Sequence, residues 1–292
     1  MSFIRYEVVD GTIARLVLNR PEARNAQSMR LLYELDEAFR RAAADDDVRV
    51  IVLSGEGPHF SAGHDLKEGG PTNNNFEETP VGLAAGLGKA DLDGIWARED
   101  EAYFGLCQRW RAIPKPTIAQ VHGKVIAGGL MLAWCCDLIV ASDDTLFQDP
   151  VAGVGIPGVE IFAHPWELGP RKAMEMLYTA DAWTAQEAHR LGMVNHVVPG
   201  DQLAEFCLDL ARRIATKSPF VLRLIKEAVR RTLNSQGQDE AFRSAFYLHQ
   251  LAQAQTIFVE GFGNLSGLPD ELQRHWAPLQ DRAADNGTER TS

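Results

Sequence analysis

Two glycine turns, each placed directly after an apolar run of strand length, constrain this chain more than any other feature. Ser61-Ala62-Gly63-His64-Asp65 follows Val50-Ile51-Val52-Leu53, and Ala127-Gly128-Gly129 follows Thr117-Ile118-Ala119-Gln120-Val121. Glycine lets two stretches of backbone approach closely and leaves amide N–H groups open. Two such turns on neighbouring strands can aim two N–H donors at one oxygen, which is the physical requirement of an oxyanion hole. Beside both turns the chain is apolar, where an acid or base would be expected.

The surrounding pattern reads as an α/β core. Ile4–Val9 alternates, turns at Asp10-Gly11 and continues as Ile13–Leu18, a strand pair. Ser28 precedes Leu31, Leu32, Leu35, Ala38, Phe39 and Ala42, a helix with an N-cap. Val48–Leu53 is continuously apolar, as in a sheet covered on both faces. Residues 98–112 read as a helix, 117–121 as a strand, 128–136 as a helix and 137–141 as a strand, an alternation that favours parallel pairing. Later segments are helical: Pro170 opens Arg171–Tyr178, Thr184-Ala185-Gln186-Glu187 is a capping box closed by Gly192, and further helices start at Asp201 and Ser218 and cover 238–261. The expected organisation is a core over 1–200, a helical C-terminal region over 201–276 and a disordered tail over 277–292. The polar, glycine-rich stretch 69–94 is expected as a flexible loop.

Composition bounds the function. The chain has 292 residues, 45% hydrophobic, with a net charge of −11. Its cations are dispersed, so no nucleic-acid partner is expected. No apolar run approaches the ~20 residues of a membrane span, and the N-terminus lacks a signal-peptide pattern, so the expected place is the cytoplasm. Cys107, Cys135, Cys136 and Cys207 have no metal-ligand spacing and are expected as buried thiols, with no metal site.

Six fragments occur in order: Leu18-Asn19-Arg20-Pro21-Glu22-Ala23-Arg24-Asn25-Ala26, Phe60-Ser61-Ala62-Gly63-His64-Asp65-Leu66-Lys67-Glu68, Pro114-Lys115-Pro116-Thr117-Ile118-Ala119, Gly128-Gly129 with Cys136-Asp137, Gly155-Ile156-Pro157-Gly158, and Gly192-Met193-Val194-Asn195. In this order and spacing, over about residues 4–230, the chain resembles the enoyl-CoA hydratase/isomerase (crotonase) superfamily. The resemblance implies a repeated ββα spiral core and a C-terminal helical region that makes trimer contacts, giving a homotrimer or a dimer of trimers. It implies an acyl-CoA thioester substrate, with coenzyme A as part of the substrate and no tightly bound cofactor. The oxyanion donors carry over to the backbone N–H groups of His64 and Gly128. The coenzyme A contacts carry over to Ala23, Arg24, Ala26, Ala62, Asp65, Leu66 and Lys67, with Arg24 and Lys67 as phosphate partners. Asp137 is expected to be structural, and Trp96 to Trp110, with the 69–94 loop, to shape the acyl pocket.

The chain departs from that family at its proton-transfer pair. Hydratases it resembles carry two glutamates, one three residues after the oxyanion glycine and one after the proline of a Phe-Gly-X-Pro-Glu stretch. Here those positions are Met131 and Val151, and neither side chain can move a proton. The nearest ionisable groups are Glu160, Asp149, the His64 imidazole and His164; Glu160 is the leading acid/base, with Asp149, His64 or no protein group as alternatives. The reaction is then hydration by family name, or isomerisation, hydrolysis or C–C cleavage, and a non-catalytic acyl-CoA-binding scaffold is the competing reading. Gly153-Val154-Gly155-Ile156-Pro157-Gly158 matches a dinucleotide fingerprint in letters but follows no clear strand. Ser61, His64 and Asp65 are too close in sequence to form a serine-peptidase triad.

Overall fold

A computed structural model describes residues 2–67, 78–82, 85–89 and 91–259. Residues 69–77, 83–84 and 90 of the expected 69–94 loop, the stretch 260–276 and the 277–292 tail lie outside the described residues.

The expected strand pair forms as β1 (Ile4–Val9) and β2 (Ile13–Leu18), antiparallel, with Ile4 opposite Leu18. Helix α1 (Met29–Ala44) begins where Ser28 caps it, the hydroxyl accepting from the Leu31 amide at 3.1 Å. Then β3 (Val50–Gly55), β4 (Thr117–Val121), β6 (Leu138–Ser142) and β9 (His196–Val198) join β2 in parallel, giving one sheet in the order β1-β2-β3-β4-β6-β9. The short strands β5 (Lys124–Ile126), β7 (Leu146–Gln148) and β8 (Trp183–Thr184) make a second sheet. The chain winds between the two layers. Segment 50–61 leaves the large sheet through β3 and bridges β5 at Ser61, while β4 runs into β5 and then α4 (Gly128–Trp134), and β6 runs into β7. This repetition is the ββα spiral that the resemblance implied.

Why the strands are apolar throughout is visible in their packing. Ile51, Leu53, Ala119, Ile139 and Ala141 face the main core with α1 and α4, whereas Val50, Val52, Ile118 and Val140 face Leu203, Cys207 and Ala211 of α8 (Leu203–Ala215). Both sheet faces are covered, so alternation disappears from the sequence.

Three departures from the sequence reading bear on the site. Helix α2 (Leu92–Glu99) starts inside the expected loop; Asp91 caps it by accepting from the Gly94 amide at 3.2 Å, and a Cβ at Gly94 would overlap the Lys89 carbonyl. A glycine needed for close approach there imitates a loop signal. The helix expected over 98–112 is divided: a π-helical turn, Asp100–Gly105, separates α2 from α3 (Leu106–Arg111). Asp201 sits in a 3-10 turn, Gly200–Gln202, ahead of α8.

The remaining helices are α5 (His164–Leu168), α6 (Pro170–Thr179), α7 (Ala185–Leu191), α9 (Pro219–Ser235) and α10 (Gln238–Ala254). Thr184 caps α7 and Gly192 ends it in the left-handed region, as read from the sequence. Asp137 is structural: it accepts from the Thr117 amide at 2.9 Å and pairs with Lys226 of α9 at 2.9 Å. Phe242 and Phe246 seat α10 on the core, with Phe246 5.1 Å from Phe104. All four cysteines are free thiols, three of them buried. Among the described residues no helix is long and apolar enough to cross a membrane.

Candidate active site

The two glycine turns meet. Gly63 has φ +89°, and a Cβ there would lie 2.8 Å from the Ile126 carbonyl and 3.2 Å from the Gly128 nitrogen. A Cβ on Gly128 would lie 2.7 Å from His64 Cε1, and one on Gly129 would lie 2.7 Å from the Ser61 carbonyl. These glycines are therefore demanded by contact between the turns and, at Gly63, also by its φ. Ala127, between β5 and α4, takes φ 48° and ψ −115°, a strained setting for a non-glycine residue.

Two amides are left open by this geometry. Gln27 bridges His64 in parallel: its amide donates to the Gly63 carbonyl at 2.8 Å and its carbonyl accepts from Asp65 at 3.0 Å, so the His64 N–H points away from that ladder. Gly128 is the first residue of α4, where no intrahelical acceptor exists. Neither amide donates a backbone hydrogen bond among the described residues.

The side chains behind these amides form a buried chain of ionisable groups. The His64 ring stacks on Tyr103 of the π turn at 3.8 Å, and its Nε2 lies 3.1 Å from Glu160 Oε2. Its Nδ1 is buried without a partner, on the side facing Gly128. Glu160, 3% exposed, sits in the irregular segment before α5. Burial raises its carboxyl, but His64 and then His249 more than offset this and hold it well below the ordinary carboxylate range. His249 of α10 bonds the Gly158 carbonyl through Nδ1 at 2.7 Å, while its Nε2 lies 3.3 Å from Glu99 Oε2 and 3.9 Å from Glu160 Oε1. Burial lowers His249, yet Glu99 and Glu160 carry it up to about 9. Gln250 and Gln253 donate to the two Glu99 oxygens at 2.5 and 2.7 Å, and Gln253 Nε2 also lies 2.9 Å from the His249 ring. Burial, with Glu160 and Glu99 nearby, raises the Tyr103 hydroxyl far above its ordinary value, so it stays protonated.

The structure sorts the candidates. Glu160 is in the site but lies behind His64, so the imidazole stands between it and the Gly128 turn. The His64 side chain points inward. Asp149 is 2% exposed and accepts from the Val159 amide at 3.1 Å with His164 Nε2 2.9 Å away, which makes it a clasp on the segment that carries Glu160. Met131 is buried in the main core and Val151 packs at its edge, both apolar as read. Ser61 is fully buried and its hydroxyl donates to the Asn25 carbonyl at 2.9 Å, so it supports the turn and is no nucleophile. The G-x-G-x-x-G letters fall on a 3-10 turn and an irregular segment, not on a strand-to-helix turn.

The residues assigned to coenzyme A cluster around the first glycine turn. Ala23 ends a 3-10 turn, Arg24 follows at φ 54° with its side chain exposed, and the Ala62 amide donates to the Arg24 carbonyl at 3.0 Å. Ala26 and Leu66 are half-buried and Lys67 is exposed. Asp65 differs: its carboxylate pairs with the Arg20 guanidinium and accepts from the Lys67 amide at 3.0 Å, so it shapes the loop. Trp110, expected near the acyl pocket, is 1% exposed and donates to Asp36 at 2.9 Å in the core; Trp96 packs on Phe246 and Tyr247. The sequence reading missed Tyr103, Glu99 and His249. A signal existed for the last: His249, Gln250 and Gln253 place polar side chains at helical spacing on the buried face of α10.

Comparison with known proteins gives the family and the fold. The family described as Enoyl-CoA hydratase/isomerase matches residues 9–87 and 88–263. A Mycobacterium tuberculosis protein named "Putative enoyl-CoA hydratase EchA13" is 47% identical over 270 residues, covering 91% of this chain and 85% of that protein. A Mycobacterium thermoresistibile crystal structure described as a "probable enoyl-CoA hydratase" is 48% identical with a TM-score of 0.80, covering 89% of this chain and 98% of that one. A Xanthobacter autotrophicus Py2 structure, an enoyl-CoA hydratase/isomerase, is 33% identical with a TM-score of 0.78 over 96% of this chain and 98% of its own. With the spiral fold, the two converging glycine turns and a family match across most of its length, the chain belongs to the enoyl-CoA hydratase/isomerase family.

Proposed function

We propose that this protein acts on acyl-CoA thioesters through an enolate, with the thioester oxygen held by the His64 and Gly128 amides and the proton moved by the His64 imidazole. The supporting observation is the placement of one histidine: its N–H is open beside Gly128, its Nδ1 is unpartnered, and its Nε2 is taken by Glu160. With Nε2–H donated to a carboxylate, Nδ1 presents a lone pair, the form a general base needs. Glu160 fixes that tautomer and stabilises the imidazolium that forms, the role an orienting acid has beside any catalytic histidine. As negative charge develops on the thioester oxygen, two preset amides stabilise it without reorganising.

One proton-transfer centre suits a proton shift along the acyl chain. The imidazole removes a proton from one carbon, the C–H electron pair moves into the thioester as an enolate, and the same proton returns to another carbon. No water or second acid enters the balance. Hydration by the two-glutamate route has no side chains to run on at Met131 and Val151. Double-bond isomerisation of an unsaturated acyl-CoA is the reaction this site supports best. Coenzyme A belongs to the substrate, and Arg24 and Lys67 are the proposed cations for its phosphates. The exposed apolar side chains of α9, Phe220, Leu224, Ile225 and Val229, support a trimer contact, which light scattering would register as a multiple of 32.2 kDa.

The test is a panel of acyl-CoAs, including crotonyl-CoA and a β,γ-unsaturated thioester, assayed with the wild type, His64→Ala and Glu160→Gln. Both substitutions are expected to lower turnover by about 10²–10⁴ with thioester binding retained. Full activity in Glu160→Gln removes Glu160 from the mechanism. Binding without turnover across the panel replaces the enzyme reading by the acyl-CoA-binding scaffold.

A further inference from the structure

We propose that His249, supplied by the C-terminal helix α10, is a positioning residue for the reaction, holding Glu160 ionised and turned toward His64. The inference rests on the reading of the site above and goes beyond it, because it makes α10 part of the catalytic apparatus.

Geometry carries it. Glu160 has two oxygens, and they are divided: Oε2 lies 3.1 Å from His64 and Oε1 3.9 Å from His249. His249 has two nitrogens, and one is committed: Nδ1–H donates to the Gly158 carbonyl at 2.7 Å, two residues before Glu160. That bond leaves Nε2 facing two carboxylates, Glu99 at 3.3 Å and Glu160 at 3.9 Å. A lone pair there would be repelled by both carboxylates, which favours the imidazolium, in keeping with its raised pKa; the Gln253 amide nitrogen lies 2.9 Å from Nε2 but donates to Glu99 Oε1 at 2.7 Å. All three groups are buried, Glu99 at 8%, Glu160 at 3% and His249 at 4% exposure, so an uncompensated carboxylate would be costly. Glu99 is in turn fixed by Gln250 and Gln253, neighbours of His249 on the same helix.

The charged groups facing this imidazole are Glu99 on α2 and Glu160 before α5, and these carboxylates are in turn felt by Arg98 on α2, Tyr103 on the π turn and His64 after β3. Of these, only the two carboxylates approach it within 4 Å. Its removal therefore strips Glu160 Oε1 of its cation and lets the carboxyl take up a proton at higher pH. With Oε1 no longer held, the carboxylate can turn away from His64 and orients the imidazole less well.

Two substitutions separate this role from a structural one. His249→Asn keeps a donor where Nδ1 bonds Gly158 but places nothing toward Glu160; His249→Gln reaches toward Glu160. In the full-length protein, His249→Asn is expected to lower kcat about tenfold with KM within twofold, because Glu160, still ionised at neutral pH, is no longer held turned toward His64. His249→Gln is expected to recover part of this effect. The second readout needs no turnover: the protonation midpoint of the Glu160 carboxyl, followed by NMR of 13C-glutamate-labelled protein and assigned with Glu160→Gln, should rise by about one unit in His249→Asn. If no thioester is turned over, the functional reading fails, and the midpoint still decides the role of His249. An unmoved midpoint, or His249→Gln behaving like His249→Asn in every measurement, overturns the proposal. So does one equivalent of a tightly held divalent metal in the purified protein that is lost in His249→Asn.

Discussion

The two halves of the candidate site are built in different ways. The half proposed to hold the thioester oxygen is backbone: two amides whose directions are set by Gly63, Gly128 and the parallel bridge to Gln27, all within the spiral. The half proposed to handle the proton is side chain: His64, Glu160, Tyr103 and His249 arrive from four separate segments and meet only when the fold is complete. A backbone donor cannot change its rotamer and carries no charge to neutralise, so it needs close packing and little else. An ionised side-chain network must be paired at each link, because every unpaired member is expensive in a dry interior. Catalysis by this site should thus be most sensitive to a single methyl group in one half and to charge in the other.

The sharpest way to break that contrast is Gly128→Ala. The new Cβ would fall 2.7 Å from His64 Cε1 and 2.8 Å from both Gln27 Oε1 and His64 Nδ1, so the ring and the turn must separate. Turnover is expected to fall by about 10²–10³, equivalent to roughly 3–4 kcal/mol, the loss associated with one oxyanion donor. Circular dichroism of the variant should stay near wild type, with a modest fall in melting temperature because Gln27, which the new Cβ also meets, is buried. Loss of turnover with a folded protein supports a preset amide; retention of more than a tenth of the activity breaks the assignment of Gly128.

The charged half predicts a pH dependence of stability. A histidine raised from 6.5 to about 9 contributes stabilisation that is complete below about pH 6.5 and is lost as the pH rises through about 9. The loss is on the order of 2–3 kcal/mol between pH 6.5 and 9.5, visible as a drop in melting temperature of several degrees at fixed protein concentration. His249→Asn should flatten that part of the curve. On the acid side the sign reverses for Glu160: its lowered pKa gives stabilisation that is present above about pH 4.5 and fades only in strong acid. A wild-type alkaline slope identical to that of His249→Asn would show that the imidazole is not paired as described.

The same division explains what could be read from the chain alone. Ser28, Thr184 and Gly192 act through neighbours three or four residues away, so their caps were legible. So were the glycine turns and the absence of glutamates at Met131 and Val151, because each is a statement about one position. Glu160 was legible as an ionisable residue near the site, but its place behind His64 depends on where the segment after Pro150 folds, which Asp149 and His164 decide from within the core. The π turn that aims Tyr103 at His64 has no periodicity to separate it from ordinary helix. His249 lies 185 positions from His64, and only the seating of Phe242 and Phe246 on the core brings the two to opposite sides of one carboxylate.

The smallest effect belongs to the loop outside both halves. Arg24 is exposed, held at φ 54° in a turn that the Ala62 amide clamps at 3.0 Å, so its position is fixed while its guanidinium is free to meet a phosphate. A single exposed cation on an anionic ligand is worth about 1 kcal/mol or less, and salt screens it over a Debye length of about 10 Å at 0.1 M. Arg24→Ala is therefore expected to raise KM about threefold to fivefold for coenzyme A thioesters and to leave kcat unchanged. The increase should shrink as ionic strength rises, and it should vanish for a truncated thioester such as an N-acetylcysteamine ester, which lacks the phosphates. A fall in kcat with constant KM would instead place Arg24 with the turn that orients His64, and the contrast between a preset backbone and a peripheral charge would have to be redrawn.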